Sequence, residues 1–219
     1  MSKFRISHGA LAVGVLVVCA GVLTAMNVAT HHAIRERRLG SWTLVAEWRN
    51  YAVGGIRTGP DSAAVTLVEF ADYGCPPCRH LTPLLHDAVA RFPQSVALVV
   101  HEIPFEGPES DSAAAGAYCA MDEGRFPQYE AAVVTTEQLS SLSITEYAKR
   151  AGIRDLHAFL TCIGSKRVMQ ALALDKAKAT QLGVHTTPLL LINDKEFAIP
   201  PDPLTEAISR ELEKKKERR

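Results

Sequence analysis

The sequence predicts an α/β fold, a central sheet flanked by helices with a long helical segment set between two sheet-forming stretches. Three observations predict it. The run Ala64-Val65-Thr66-Leu67-Val68-Glu69-Phe70 is apolar and β-branched apart from one acid, as a buried strand is. Directly after it, Leu81, Leu84, Leu85, Ala88 and Val89 follow a helical spacing. A second apolar run, Leu189-Leu190-Leu191-Ile192, comes far downstream and is closed by the turn pair Asn193-Asp194.

Taken in order, residues 1–9 are a short flank carrying Lys3 and Arg5, and residues 10–29 are an uncharged, largely apolar run long enough to cross a bilayer as a helix. Residues 30–52 are basic and aromatic. Trp42, Val45, Trp48 and Tyr51 recur at helical spacing there, which predicts a membrane-proximal helix. Residues 53–108 form the first part of the core: a Gly-rich turn into a short strand, the strand to Phe70, a helix to Phe92 and a strand from Val96 to Ile103. Residues 109–181 read as helical throughout, and residues 182–212 return to the core with strands at Pro188–Ile192 and Glu196–Ile199 and a helix from Pro203. Residues 213–219 are a basic tail, a solvated helix end rather than a binding patch.

The chemistry concentrates at Cys75-Pro76-Pro77-Cys78, where the strand gives way to the helix. Cys75 falls at the N-cap, Pro76 at the first helical position and Cys78 one turn up on the same side. Residues at that spacing can be joined by a disulfide with little backbone movement. The positive end of the helix dipole favours a thiolate at the first cysteine and makes it a usable nucleophile. A zinc site would need a second CxxC or an HxxxH pair, and the sequence holds neither, so no metal is expected. The pattern is that of thiol–disulfide exchange, a reaction that needs no cofactor because sulfur itself carries the electrons. Pro76 and Pro77 both lack an amide hydrogen, which removes two helix N–H donors near the sulfur and points to an intermediate reduction potential, with Arg79 and His80 able to restore part of the loss.

A second element bears on the site. Gly183-Val184-His185-Thr186-Thr187-Pro188 leads into the downstream apolar run, and a proline opening a buried strand is unusual because it cannot donate to the ladder. Two arrangements accommodate it: a cis Thr187-Pro188 bond in a tight turn, or a trans proline beginning an edge strand. Glu69 is likewise open to two readings, a buried acid that shuttles protons or a carboxylate facing an edge. His86, His101 and His185 carry no catalytic signal.

Glu69 to Cys78, then Pro83, then Gly183 to Pro188 resemble the thioredoxin superfamily, and more closely its DsbA-like branch with an inserted helical domain. The resemblance covers roughly Trp48 to Leu212. It implies a thioredoxin fold, a mixed central sheet with an inserted helical domain at 109–181, here preceded by a single N-terminal transmembrane helix. It implies that Cys75 attacks, Cys78 resolves, Glu69 is the buried acid beneath them, Pro83 kinks the active-site helix, and Thr187-Pro188 is a cis-proline loop facing the cysteines. With Pro76 and Pro77, that loop would bind an extended substrate. Cys119 and Cys162 fall where similar DsbA-like proteins carry cysteines, so either a second disulfide or two buried free thiols is expected.

Balanced charge, with 24 basic and 24 acidic residues, gives no sign of a nucleic-acid partner. The expected partners are protein or peptide thiol substrates and a membrane or soluble redox partner that resets the site. A cleaved signal peptide is the alternative for residues 10–29, but no convincing cleavage site follows them, and they are expected to stay as an anchor. Arg35, Arg37 and Arg38 after the span argue for a cytoplasmic C-terminal side. An oxidising role requires an oxidising compartment instead. The expectation is a single-pass protein of the cell membrane with its catalytic domain on the periplasmic or extracellular side, oxidising dithiols of exported proteins. A reductase or isomerase of the same fold is the alternative, and a tethered copper carrier a more distant one.

Overall fold

The computed structural model describes Met26, residues 43–197 and residues 204–217. The chain divides into two units, Met1–Ser41 and Trp42–Arg219, and the sheet and its helices belong to the second. Among the described residues no helix is long and apolar enough to cross a membrane, and the run 10–29 lies outside them apart from Met26.

Six strands form one sheet: β1 (Thr43–Leu44), β2 (Ile56–Thr58), β3 (Val65–Ala71), β4 (Val96–Glu102), β5 (Leu189–Ile192) and β6 (Lys195–Phe197), in the order β1-β6-β5-β3-β4-β2. Only β3 and β4 run parallel, joined through the helix α1 (Pro76–Arg91), and the other pairs are antiparallel. The sheet is therefore mixed, as the resemblance implied.

β3 lies at the centre and every one of its residues is buried, which is why its sequence reads as a continuous apolar run. Its side chains alternate between faces. Val65, Leu67 and Ala71 enter the larger core with α1, while Val68 and Phe70 enter a smaller one with Tyr51, Ala179 and Val184. Glu69, at odd parity, shares the face of α1. By the same alternation Val96, Leu98 and Val100 of β4 point to the α1 side, and so does Glu102 at its end. The β5–β6 turn is held by Asn193, in the left-handed conformation at φ 53°, which exchanges hydrogen bonds with the backbone of Thr66.

Between β4 and β5 come α2 (Pro108–Asp122), α3 (Phe126–Val134), α4 (Ile144–Arg150), α5 (Leu156–Ile163) and α6 (Lys166–Leu182). The last three start at side-chain caps, where Ser143, Asp155 and Ser165 accept from the amides of Glu146, Ala158 and Val168. α6 ends at Gly183, whose φ of 77° suits a residue without a Cβ. Gly116 lets α2 pass close to α3, since a Cβ there would lie 2.2 Å from the Tyr129 hydroxyl. α7 (Leu204–Glu217) buries Leu204, Ala207 and Ile208.

One expectation changes. The aromatic stretch before the core is not helical over residues 43–51: Thr43–Leu44 pairs with β6, Glu47 takes a left-handed conformation at φ 53°, and only Trp48–Asn50 makes a short 3-10 turn. The packing of Val45 and Tyr51 into the smaller core, rather than a helical stripe, accounts for their apolar character. The last strand is described over Lys195–Phe197, and its expected end at residues 198–199 lies outside the described residues.

Candidate active site

Cys75 is the N-cap of α1, in extended conformation, with Pro76 and Pro77 opening the helix and exposed. The capping position is fixed by Asp72, whose backbone carbonyl accepts from the Cys75 amide at 3.1 Å. Its carboxylate accepts from the amides of Gly74 (2.8 Å), Phe105 (2.6 Å) and Glu106 (3.0 Å) and from the Ser110 hydroxyl. One buried aspartate thus ties the active-site turn to the loop that leads into α2. Gly74 is required by the same closeness, because a Cβ there would sit 2.4 Å from the Cβ of Glu106.

Cys75 and Cys78 are free thiols, 7% and 2% exposed. The Cys75 thiol donates to the carbonyl of Thr187 across a 3.3 Å contact. The Thr187-Pro188 peptide bond is cis. The structure therefore brings together the CPPC turn and the Thr187-Pro188 loop, although 112 residues separate Cys75 from Thr187. Pro76 and Pro77 on one side and half-buried Thr187 and Pro188 on the other border the thiol. Burial pushes the Cys78 thiol far above its ordinary value, and the neighbouring Glu69 carboxyl adds to this. Cys78 is thus held as a thiol in the reduced protein.

Glu69 is completely buried and neither of its carboxyl oxygens has a hydrogen-bond partner. Burial raises its pKa well above the ordinary carboxylate value, and the charges of Glu130 and Cys75 raise it further. The edge-facing alternative is excluded. Glu69 is a buried acid electrostatically coupled to both cysteines.

Arg79 does not reach back to the sulfur. Its guanidinium donates to the carbonyls of Glu137 (3.2 Å) and Val134 (3.3 Å), tying α1 to the end of α3, while His80 is exposed. His101 is fully buried in β4, its ring nitrogens 2.6 Å from Asp175 Oδ1 and 2.7 Å from the Tyr51 carbonyl, and it stacks on Phe70. Pro83 lies inside α1, and Thr82 donates its hydroxyl to the Cys78 carbonyl at 3.0 Å. Cys119 of α2 and Cys162 of α5 form a disulfide with their Cα atoms 6.0 Å apart, which settles the two options the sequence left open. Among the described residues no group of three or more His, Cys, Asp or Glu side chains is arranged to hold a metal.

Sequence reasoning missed Glu102, Glu130 and the pairing of Glu130 with His86. Each glutamate is the lone acid of a largely apolar stretch, Val96 to Ile103 and Phe126 to Val134, a weaker form of the signal that marked Glu69.

The model of the thioredoxin family matches residues 52–210. The chain belongs to the thioredoxin family. The thioredoxin-superfamily resemblance carried by CPPC and TTP is borne out over residues 52–210. A probable disulfide bond formation protein D of Bacillus anthracis is 29% identical over 170 residues, covering 71% of this chain and 77% of that protein. An Na(+)/H(+) antiporter NhaA of Herminiimonas arsenicoxydans is 29% identical over 140 residues, 64% of this chain, but the match spans only 22% of the antiporter's own length. Among solved structures, a thioredoxin-like oxidoreductase from Silicibacter pomeroyi DSS-3 superposes with a TM-score of 0.63 at 25% identity, over 74% of this chain and 91% of that one.

Proposed function

We propose that this protein is a membrane-tethered, DsbA-like oxidoreductase that introduces disulfides into exported proteins. The observation that carries the reading is the Cys75 thiol at the start of α1, 3.3 Å from the Thr187 carbonyl, with Cys78 one turn behind and Glu69 buried beneath. With the site oxidised, a substrate thiolate attacks the Cys75 sulfur and the Cys75–Cys78 bond breaks. Cys78 leaves as a thiolate and takes a proton. A second substrate thiolate then attacks the substrate sulfur of the mixed disulfide and releases Cys75. Two electrons and two protons pass to the enzyme, and the substrate leaves with a disulfide. The backbone of Thr187 offers a strand-like edge to an extended peptide. A redox partner that draws electrons from the reduced pair closes the cycle.

The Cys119–Cys162 bond supports the oxidising direction, because structural disulfides accumulate in oxidising compartments. That in turn favours a periplasmic or extracellular catalytic domain held by residues 10–29. The reduction potential of the full chain, measured against glutathione in detergent, tests the direction. A value between those of protein disulfide isomerase (about −180 mV) and DsbA (about −120 mV) supports oxidation, and one near thioredoxin's (about −270 mV) makes the protein a reductase. A topology reporter fused after Arg219 tests location, and a cytoplasmic signal there reverses it.

A further inference from the structure

The exchange reaction uses Cys75, Cys78 and Glu69, yet the same face of the sheet holds further buried groups. Glu102, at the end of β4, is completely buried with both carboxyl oxygens unpartnered, and the buried hydroxyl of Tyr73 is unpartnered as well. Glu130 of α3 is 1% exposed and contacts His86 Nε2 through Oε2. A protein interior tolerates such groups poorly, since each unpartnered oxygen forfeits the hydration it has in the unfolded chain. Three carboxyls and a phenol converging under a redox pair is an expensive arrangement for a purely structural role.

These groups act on one another. Burial raises Glu102, with the charges of Glu130, Asp175 and Glu69 adding to it. Burial raises Tyr73, again with Glu102 and Glu130 as the leading charges and Tyr129 behind them. Burial raises Glu130 despite its hydrogen bond to His86. Tyr73 interacts electrostatically with both Glu102 and Glu130, while its buried hydroxyl has no hydrogen-bond partner. The cluster spans β3, the turn before α1, β4 and α3, and its charged and titratable neighbours are Cys75, Cys78, Asp87, Tyr129 and Asp175.

His86 differs from the rest. It sits on α1 a little over two turns beyond Cys78, and its side chain is 26% exposed while its partner Glu130 is 2% exposed. Burial works against its charged form, yet the hydrogen bond and charge of Glu130, with Asp87, hold it above its ordinary value. The contact joins an acid buried with the cluster to an imidazole that is partly exposed.

We propose that His86 and Glu130 are the solvent-side end of a proton path that serves Glu69 and Cys78 through the Tyr73–Glu102 cluster. The proposal rests on the exchange reading of Cys75 and Cys78 and adds the route by which its protons travel. When Cys78 leaves as a thiolate it takes a proton from the Glu69 carboxyl. Glu69 regains one from Glu102, Tyr73 gives its hydroxyl proton to Glu102 and takes one from Glu130, and His86 passes a proton from water to Glu130. When Cys78 attacks, each transfer runs in reverse. No electrons move through the path, so it changes rates and leaves the disulfide equilibrium in place. His86 and Glu130 are relay residues that never touch the substrate.

The test is single-turnover disulfide transfer from oxidised full-length protein to a dithiol peptide, measured from pH 5 to pH 9 for wild type, His86→Gln, His86→Gly and Glu130→Gln. The expected result is a roughly tenfold slower transfer in each variant at pH 7 with a displaced pH profile. Added imidazole restores the rate of His86→Gly, and the equilibrium constant with glutathione stays within twofold of wild type. A merely structural His86–Glu130 pair would not produce imidazole rescue. Wild-type rates and pH profile in folded His86→Gln and Glu130→Gln overturn the relay while leaving the exchange reading intact. Slow variants that imidazole does not rescue also overturn it. Absence of transfer by the wild-type protein itself defeats the exchange reading instead.

Discussion

Cys75 and Cys78 are free thiols three residues apart at the start of one helix, whereas Cys119 and Cys162 are bonded across 43 residues between two helices. Exposure does not separate the pairs. Cys75 is 7% exposed and Cys119 2%, and Cys162 is only half-buried. What separates them is what the bond does and what surrounds it. Closing a ring of a few residues at a helix start constrains the unfolded chain little, so bonded and open states can lie close in free energy. Closing a loop of forty-odd residues constrains it strongly. The surroundings differ in the same sense. The first pair faces a peptide carbonyl, two exposed prolines and a buried acid, while Cys162 lies 3.4 Å from Arg167, which is ion-paired to Asp122. Reactivity in this chain depends on loop length and local proton supply rather than access alone.

The most direct way to break the comparison is Cys75→Ser, which should lower exchange on a reduced refolding substrate by several orders of magnitude and leave the thermal midpoint nearly unchanged. Full activity in that variant would remove Cys75 as nucleophile. The converse is the double variant Cys119→Ser/Cys162→Ser. Loop closure of this length predicts a loss of about 4 kcal/mol. That corresponds to a fall of roughly 8–16 °C in thermal midpoint for a chain of this size. Exchange per folded molecule should persist, and its loss would show that the two pairs are not separate in role.

Glu69→Gln sharpens the first half. It should slow the step in which Cys78 leaves or attacks by about a hundredfold at pH 7. It should also stabilise the fold. The folded pKa of Glu69 is raised, so the contribution of its neutral form is whole below the ordinary value of 4.5 and is lost as pH rises through the folded value. Each pK unit of that difference costs about 1.4 kcal/mol at higher pH. Urea midpoints at pH 4 and pH 8 should therefore differ less in Glu69→Gln than in wild type. An unchanged pH slope would mean that Glu69 is not buried neutral. The smallest expected effect is that of Arg79→Ala, which loses its two carbonyl contacts to the end of α3 for about 1 kcal/mol in a urea titration. A twofold or smaller change in exchange would confirm that the guanidinium is a tether between α1 and α3 rather than a stabiliser of the Cys75 sulfur.

The central strands, α1 and the CPPC turn were legible because their physics is local: an apolar β-branched run, a helix-start pair of prolines and a cysteine at each end. The stretch at 43–51 was not. Its aromatic spacing fits a helix, but pairing with β6 and packing against the smaller core override that preference. The acids beneath the site were only partly legible. Glu69 announced itself as a lone charge in a strand, and Glu102 and Glu130 carry a weaker form of the same mark. Their convergence depends on β4 ending beside β3 and on α3 crossing α1, contacts that no short window of sequence contains.

The Cys119–Cys162 bond has a consequence for the birth of the protein. A nascent chain leaves the ribosome with both sulfurs reduced, and two electrons must be taken from it before the helical segment is locked. Each copy is thus itself a client of thiol oxidation, and its maturation depends on an oxidant already at work in the compartment where it folds.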